Sequence, residues 1–367
     1  MINSFEVKNY RNLDGLKIKS FGKVNVIAGK NNTGKTNFLH ALELLISEFD
    51  LENLRKQLER KREYDERNYR NDNENNEIKN LSIFKNLYPY KKNVNLNESI
   101  LLDSNLKAIS AKLTKIQRLD DGNSVRYVTS DNLLLDDENT YQIGLEISKN
   151  NERLRLLPLD RNILRTTFLS SSLKSQTLQS NHQFIETDSI EKDLNSNLWD
   201  KIALSNKEKY LIDALKIIDK SIERLTFIGE GSRERYAIVK KNDDDRVFPL
   251  KSMGDGINRI LTIILALLNV EEGYLFIDEF ENGLHYTVQE DLWTIIFHLA
   301  EKLNIQVFAT THSNDCINAF QKVLNSSQNK ISGQYIRLEN IENIGIREVS
   351  YSDDEIKYAS ENDIEVR

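Results

Sequence analysis

Eight residues, Gly29-Lys30-Asn31-Asn32-Thr33-Gly34-Lys35-Thr36, constrain this chain more than any others. They satisfy G-x-x-x-x-G-K-[ST] at every fixed position. The run Lys23–Ala28 before them is short and apolar, as a buried strand should be. After them, Phe38, Leu39, Ala41, Leu42, Leu45 and Ile46 fall on one face of a helix spanning Thr36–Ser47. A strand, a glycine loop and a helix in that order point backbone N–H groups inward, and the helix N-terminus adds its positive end. Phosphates of a nucleotide fit such a cradle. Gly29, Asn31, Asn32, Thr33, Gly34 and Asn37 would line it. Lys35 would reach the β- and γ-phosphates, and the Thr36 hydroxyl would ligate Mg²⁺.

Such a site needs a carboxylate at the end of a neighbouring strand. Tyr274–Ile277 is four apolar residues, and Asp278 and Glu279 follow at once. Asp278 can hold Mg²⁺ directly or through water. Glu279 is placed to orient or deprotonate an attacking water. A further strand, Gln306–Thr310, ends in Thr311-His312-Ser313, from which His312 could hydrogen-bond a γ-phosphate. Ser252, Gly254, Asp255 and Gly256 precede a long apolar helix, Gly256–Leu268, and offer a second anion site at a helix N-terminus.

Composition bounds the alternatives. The 367 residues allow two domains, or one large domain with an insertion. The net charge of −7 argues against a chain that coats nucleic acid over its whole surface, though a local basic groove stays open. With one cysteine, Cys316, neither a disulfide framework nor a multi-cysteine zinc site can form. No run approaches the ~20 apolar residues of a membrane span, and MINSFEVKNYRN lacks a signal-peptide core. The cytoplasm is the expected compartment.

The pattern along the chain predicts an α/β fold. Ile2–Lys8 and Leu16–Lys19 alternate as antiparallel strands. Residues 51–100 read as a solvated helix running into a polar loop. Ile100–Ile116 reads as a helix, Tyr141–Ser148 and Asn162–Leu169 as strands, and Ser189–Leu204 and Asn206–Lys220 as helices. His182 falls in a loop. The acidic run Asp243–Asp245 reads as a hairpin turn between Tyr236–Lys240 and Val247–Leu250. Val288–Ala300 and Asn314–Val323 read as helices, and Gln334–Leu338 with Ile344–Val349 as a hairpin. Alternating strands and helices imply a mostly parallel sheet covered on both faces.

Taken together, the motifs resemble the ABC-type ATPases of the RecF/SMC/OLD group. The loop matches Walker A, and Ile277-Asp278-Glu279 matches the end of Walker B. Ser252–Gly256 is similar to the signature motif, although Lys251–Asp255 reads KSMGD where the family has LSGGQ. Phe280–His285 (FENGLH) resembles the OLD-like D-loop, His312 the switch histidine, and Phe5–Leu13 the N-terminal strand and turn in which Arg11 lies near the nucleotide. No glutamine stands out for the Q-loop; Gln142 and Gln176 are the candidates.

The resemblance implies an ABC-type P-loop NTPase fold, with an N-terminal antiparallel β part and a large helical insertion. Residues 1–50 and 225–340 form the head, with strands contributed from 125–170. Residues 51–224 form a mainly helical arm, and 341–367 a hairpin end and polar tail. It implies ATP and Mg²⁺ as ligands, and a head-to-head dimer with ATP held between one subunit's Walker motifs and the other's signature motif. Only 44 residues follow Val323, too few for the Toprim nuclease of OLD proteins. The expectation is therefore an ATPase that controls a separately encoded nuclease or toxin effector, in antiphage defence. The alternative is a RecF/SMC-like repair factor that closes on DNA when ATP binds. A transporter subunit and a non-hydrolysing scaffold fit less well, the first because of the FENGLH segment, the second because Glu279 and His312 are intact.

Overall fold

The computed structural model describes residues 1–65, 76–89, 95–96, 98–122, 125–129, 141–159, 163–166, 181–187, 193–229, 235–242, 244–326 and 331–349. Two strands, β1 (Phe5–Lys8) and β2 (Leu16–Ile18), form the expected antiparallel pair. β3 (Val24–Ala28) is buried along its whole length. It leads through the glycine loop into α1 (Lys35–Ile46), and α2 (Leu51–Arg60) follows, capped by the Asp50 carboxylate. After α3 (Asn76–Lys85) come β4 (Ser99–Ser104), β5 (Ala108–Asp120), β6 (Val125–Thr129), β7 (Tyr141–Lys149) and β8 (Glu152–Pro158). These five join β1 and β2 in a seven-stranded antiparallel sheet.

Next are the one-turn α4 (Ile163–Thr166), β9 (His182–Ile185), α5 (Leu194–Ile202) and α6 (Glu208–Leu215). A three-stranded antiparallel sheet follows, formed by β10 (Ile222–Ile228), β11 (Tyr236–Lys241) and β12 (Val247–Pro249). Then come α7 (Asp255–Leu268), β13 (Tyr274–Ile277), α8 (Tyr286–Lys302), β14 (Gln306–Thr310) and α9 (Asn314–Leu324). The described chain ends with β15 (Gly333–Ile341) and β16 (Gly345–Val349).

The central sheet has the order β16-β15-β3-β14-β13-β9 and is parallel except for β16. Its side chains alternate between two cores. Val24, Val26, Leu275, Ile277, Val307 and Ala309 face α7, α8 and α9. Ile27, Phe276 and Phe308 face α1 and the antiparallel sheet. Burial on both faces explains why these strands read as continuous apolar runs rather than alternating ones. Because β3, β14, β13 and β9 all run the same way, their carboxyl ends share one edge, and the glycine loop, Thr311, Asp278 and Glu186 emerge there.

Several expected elements differ. Ile100–Ile116 is a strand pair, not a helix. Its buried residues Ile100, Leu102, Ile109, Ala111 and Leu113 follow a period of two, and the Ser104 hydroxyl accepts from the N–H groups of Leu106 and Lys107 to make the turn. Residues 51–224 therefore contribute β4–β9 as well as helices. Within Asn162–Leu169 the described residues form the helical turn α4; the remainder lies outside the described residues. His182 begins β9 instead of lying in a loop. Residues 189–192, Asp243, Gln176 and the tail from 350 also lie outside the described residues. Gln142 sits on β7 opposite Ile116, in the antiparallel sheet.

Candidate nucleotide site

The loop conformation needs its glycines. Gly29 has φ +150°, and a Cβ there would stand 2.5 Å from the Leu338 carbonyl and 2.6 Å from Thr33 Oγ1. Gly34, at φ +82°, caps α1 in the left-handed region, and a Cβ there would stand 2.8 Å from Leu13 and 3.0 Å from Asn12. The Thr33 hydroxyl closes the turn by donating to the Lys30 carbonyl at 2.8 Å. Asn31 and Asn32 are exposed at the rim.

Lys35 folds over the loop, its Nζ donating to the Gly29 carbonyl at 2.7 Å and the Lys30 carbonyl at 3.0 Å. Burial pushes its pKa down, while the charges of Asp278, Glu279 and Glu281 push it up. The two helix-start residues that follow point different ways. Thr36 Oγ1 donates to the Asp278 carboxylate, 3.0 Å from Oδ2. Asn37 Nδ2 donates to Asn12 Oδ1 at 2.6 Å.

Asp278 is the hub. It emerges from β13, is 8% exposed, and accepts from Thr36 and from Thr310 Oγ1 at 2.6 Å. The Thr310 hydroxyl also accepts from the Glu279 N–H at 2.9 Å. Glu279 has φ +46°, the left-handed region that a side chain rarely adopts. Arg259 Nη2 donates to the carbonyls of Asp278 at 2.7 Å and Glu279 at 3.1 Å, and Nη1 to that of Glu186 at 2.6 Å. This guanidinium thus bolts the ends of β13 and β9 together and fixes the turn that carries Glu279. Burial pushes the Arg259 pKa down against the pull of Asp278, Glu279 and Glu281.

His312 is held by Glu281. One carboxylate oxygen accepts from the His312 backbone N–H at 2.9 Å and lies 3.1 Å from Nδ1. The His312 side chain is 44% exposed.

Arg11 and Ser252 each make a contact elsewhere in the chain. The Arg11 guanidinium makes a two-pronged pair with Glu63, at 2.9 and 2.7 Å, and Asn12 and Leu13 are the residues of that turn that lie against Gly34 of the loop. Ser252 lies on the short 3-10 turn Leu250–Met253 and its hydroxyl donates to the Pro249 carbonyl at 2.7 Å. That turn packs on β11, β12 and α7. Among the described residues no hydrogen bond joins Ser252, Gly254 or Gly256 to the Gly29–Thr36 loop. Gly256 instead abuts the 280–285 loop, where a Cβ would stand 3.0 Å from the Gly283 carbonyl. Asp255 opens α7.

Thr36 and Asp278 present hard oxygen donors side by side, the kind Mg²⁺ prefers alongside phosphate and water. Among the described residues there is no cluster of three or more His, Cys, Asp or Glu that could hold a metal by itself. A cation here would therefore take much of its coordination from a bound nucleotide. No helix among the described residues is long and apolar enough to cross a membrane.

The family described as "AAA domain, putative AbiEii toxin, Type IV TA system" matches residues 24–317. The chain belongs to this AAA-domain family. It is an ATPase domain by that membership, and the match runs from β3 into α9, spanning the loop, Asp278, Glu279 and His312. The AAA domain is 26% identical to an ATP/GTP phosphatase of Helicobacter pylori, over 88% of each chain. A segment of 47 residues is 45% identical to an uncharacterized protein of Methanocaldococcus jannaschii, covering 13% of this chain and 22% of that one. Among solved structures, an SMC head bound to the C-winged helix domain of ScpA gives a TM-score of 0.49 at 11% identity, covering 96% of this chain and 98% of that one. The Thermotoga maritima SMC head gives 0.44 at 9%, covering 95% and 99%. Likenesses this distant carry no weight for function.

Proposed function

We propose that this AAA domain is an OLD/RecF-like ATPase that hydrolyses ATP with Mg²⁺ as a head-to-head dimer and so controls a separately encoded effector, a nuclease or toxin, in antiphage defence. The supporting observation is the hydrogen-bonded chain Thr36–Asp278–Thr310–Glu279 at the carboxyl edge of the parallel sheet. It sets a metal-binding pair one residue from a carboxylate with a fixed backbone. The relative named for ATP/GTP phosphatase activity and the toxin–antitoxin description of the family are in keeping with this reading.

In the proposed mechanism the Gly29–Thr36 amides and Lys35 bind the phosphate chain, and Lys35 exchanges its loop carbonyls for phosphate oxygens. Mg²⁺ held at Thr36 and Asp278 would supply charge neutralisation on those oxygens. Glu279 orients the water and takes its proton. His312, steadied by Glu281, donates to the γ-phosphate. Ser252 and its glycines serve the nucleotide of a second copy, in keeping with a turn that makes no hydrogen bond to its own loop.

Two variants test this. Lys35→Ala should lose nucleotide binding. Glu279→Gln should bind ATP normally and hydrolyse it at least ~100-fold more slowly. Turnover at the wild-type rate by Glu279→Gln would remove the assignment of the base.

A further inference from the structure

The C-terminal end of α2 reaches into the nucleotide site. Gln57, buried on α2, donates to the His40 carbonyl and to Glu43, so α2 is fastened to α1, the helix that begins at the loop. At its end three consecutive links cross the mouth of the sheet. Arg60 pairs with Glu186 and lies over the Phe184 ring at 5.0 Å. Glu186 follows β9 just as Asp278 follows β13, since Ile185 and Ile277 are in register. Lys61 Nζ donates to Asn37 Oδ1, on the first turn of α1. Glu63 holds Arg11.

Lys61 is the odd member. Arg60 and Arg11 each meet a carboxylate; the Lys61 ammonium meets only a neutral amide oxygen. Among the described residues no carboxylate lies within ion-pair distance of it, although Glu63 and Asp278 attract it from further away and Arg11 repels it. Burial and Arg11 push its pKa down to about 8. Desolvating an ammonium beside another cation, without a paired anion, is costly. A bound polyphosphate would supply the missing anion, and Asn37 is adjacent to Thr36 in the phosphate loop.

We propose that Lys61 is a second phosphate-binding cation of this site, contributed by α2, which leaves Asn37 to contact the phosphate chain of a bound nucleoside triphosphate. The inference rests on the reading of Gly29–Thr36 as the nucleotide site. The Arg60–Glu186 and Arg11–Glu63 pairs act on Lys61 by holding the end of α2 across the sheet edge.

The test is equilibrium binding of ATP·Mg²⁺ to the full chain and to Lys61→Met, Lys61→Gln and Lys35→Ala, with thermal melting of each in the absence of nucleotide. Loss of one charge-assisted contact should weaken ATP binding on the order of tenfold or more in both Lys61 variants. Their melting temperature without nucleotide should be unchanged or raised, because a desolvated charge has been removed. Wild-type affinity in the Lys61 variants, with binding lost in Lys35→Ala, overturns this proposal and leaves the nucleotide site intact. Wild-type affinity in Lys35→Ala as well overturns the site itself. A fall in nucleotide-free melting temperature in both Met and Gln variants would make Lys61 a structural residue and also overturn the proposal.

Discussion

Replacing Arg259 with Met should unfasten the catalytic edge of the sheet. Arg259 is 6% exposed, and its guanidinium donates to three backbone carbonyls, at 2.6, 2.7 and 3.1 Å, in the residues that follow two neighbouring strands. Each bond from a charged donor contributes about 1.5–3 kcal/mol when removed singly. The three are not additive, and the cost of burying the guanidinium is recovered when it goes. Leaving buried carbonyls without their donor costs about 1–3 kcal/mol each. The kinetic effect should be larger than the loss of stability suggests. Glu279 sits at φ +46°, a conformation held by the Arg259 and Thr310 bonds, and a shift of about 1 Å in a reacting group costs on the order of 100-fold in rate. Arg259→Lys keeps the charge, but a single ammonium cannot fork between Glu186 and Asp278. It should retain a folded core and ATP affinity while turnover falls. Urea unfolding, steady-state hydrolysis and equilibrium ATP binding on both variants check this. If Arg259→Met unfolds at the wild-type urea midpoint and turns over at the wild-type rate, the bolt has no role and the reasoning fails.

Two smaller perturbations probe the same neighbourhood. Thr310→Val preserves shape but orphans the Glu279 N–H and removes a donor from Asp278, so it should cost about 1–3 kcal/mol in urea unfolding and reduce turnover more than ATP affinity. His40 is buried and burial pushes its pKa well below 6.5, so the folded state keeps it neutral while the unfolded chain takes up a proton below that pH. Stability should therefore fall as the pH drops, by about 1 kcal/mol through this group between roughly pH 7 and 5.5, and His40→Leu should flatten that slope in unfolding titrations.

The sequence carries the strand–loop–helix unit because every requirement is local: left-handed glycines at 29 and 34, a lysine and a threonine next to them, and an apolar run on each side. Asp278 and Glu279 are equally legible, since a fully buried strand ending in two acids is short and unambiguous. Arg259 is not. Its acceptors are backbone carbonyls of the residues just after β9 and β13, which any residue provides, so only the folded sheet brings them together. β9 itself has two apolar residues, Phe184 and Ile185, between polar neighbours, too few to register as a strand until β13 pairs with it. Ile100–Ile116 misleads because apolar residues from two strands, joined by the Ser104 turn, happen to recur at three- and four-residue intervals. The Lys61 contact with Asn37 spans a helix pair, and no spacing rule links those residues.

In the proposed function, ATP joins two copies of this chain through the Ser252 turn of one and the phosphate loop of the other. The most direct test is the solution mass of Glu279→Gln with and without ATP·Mg²⁺. A monomer alone and a stable dimer with nucleotide are expected, and no dimer when Lys35→Ala is added. A mass that stays monomeric at saturating ATP·Mg²⁺ would contradict it, and hydrolysis would then have to proceed within a single subunit.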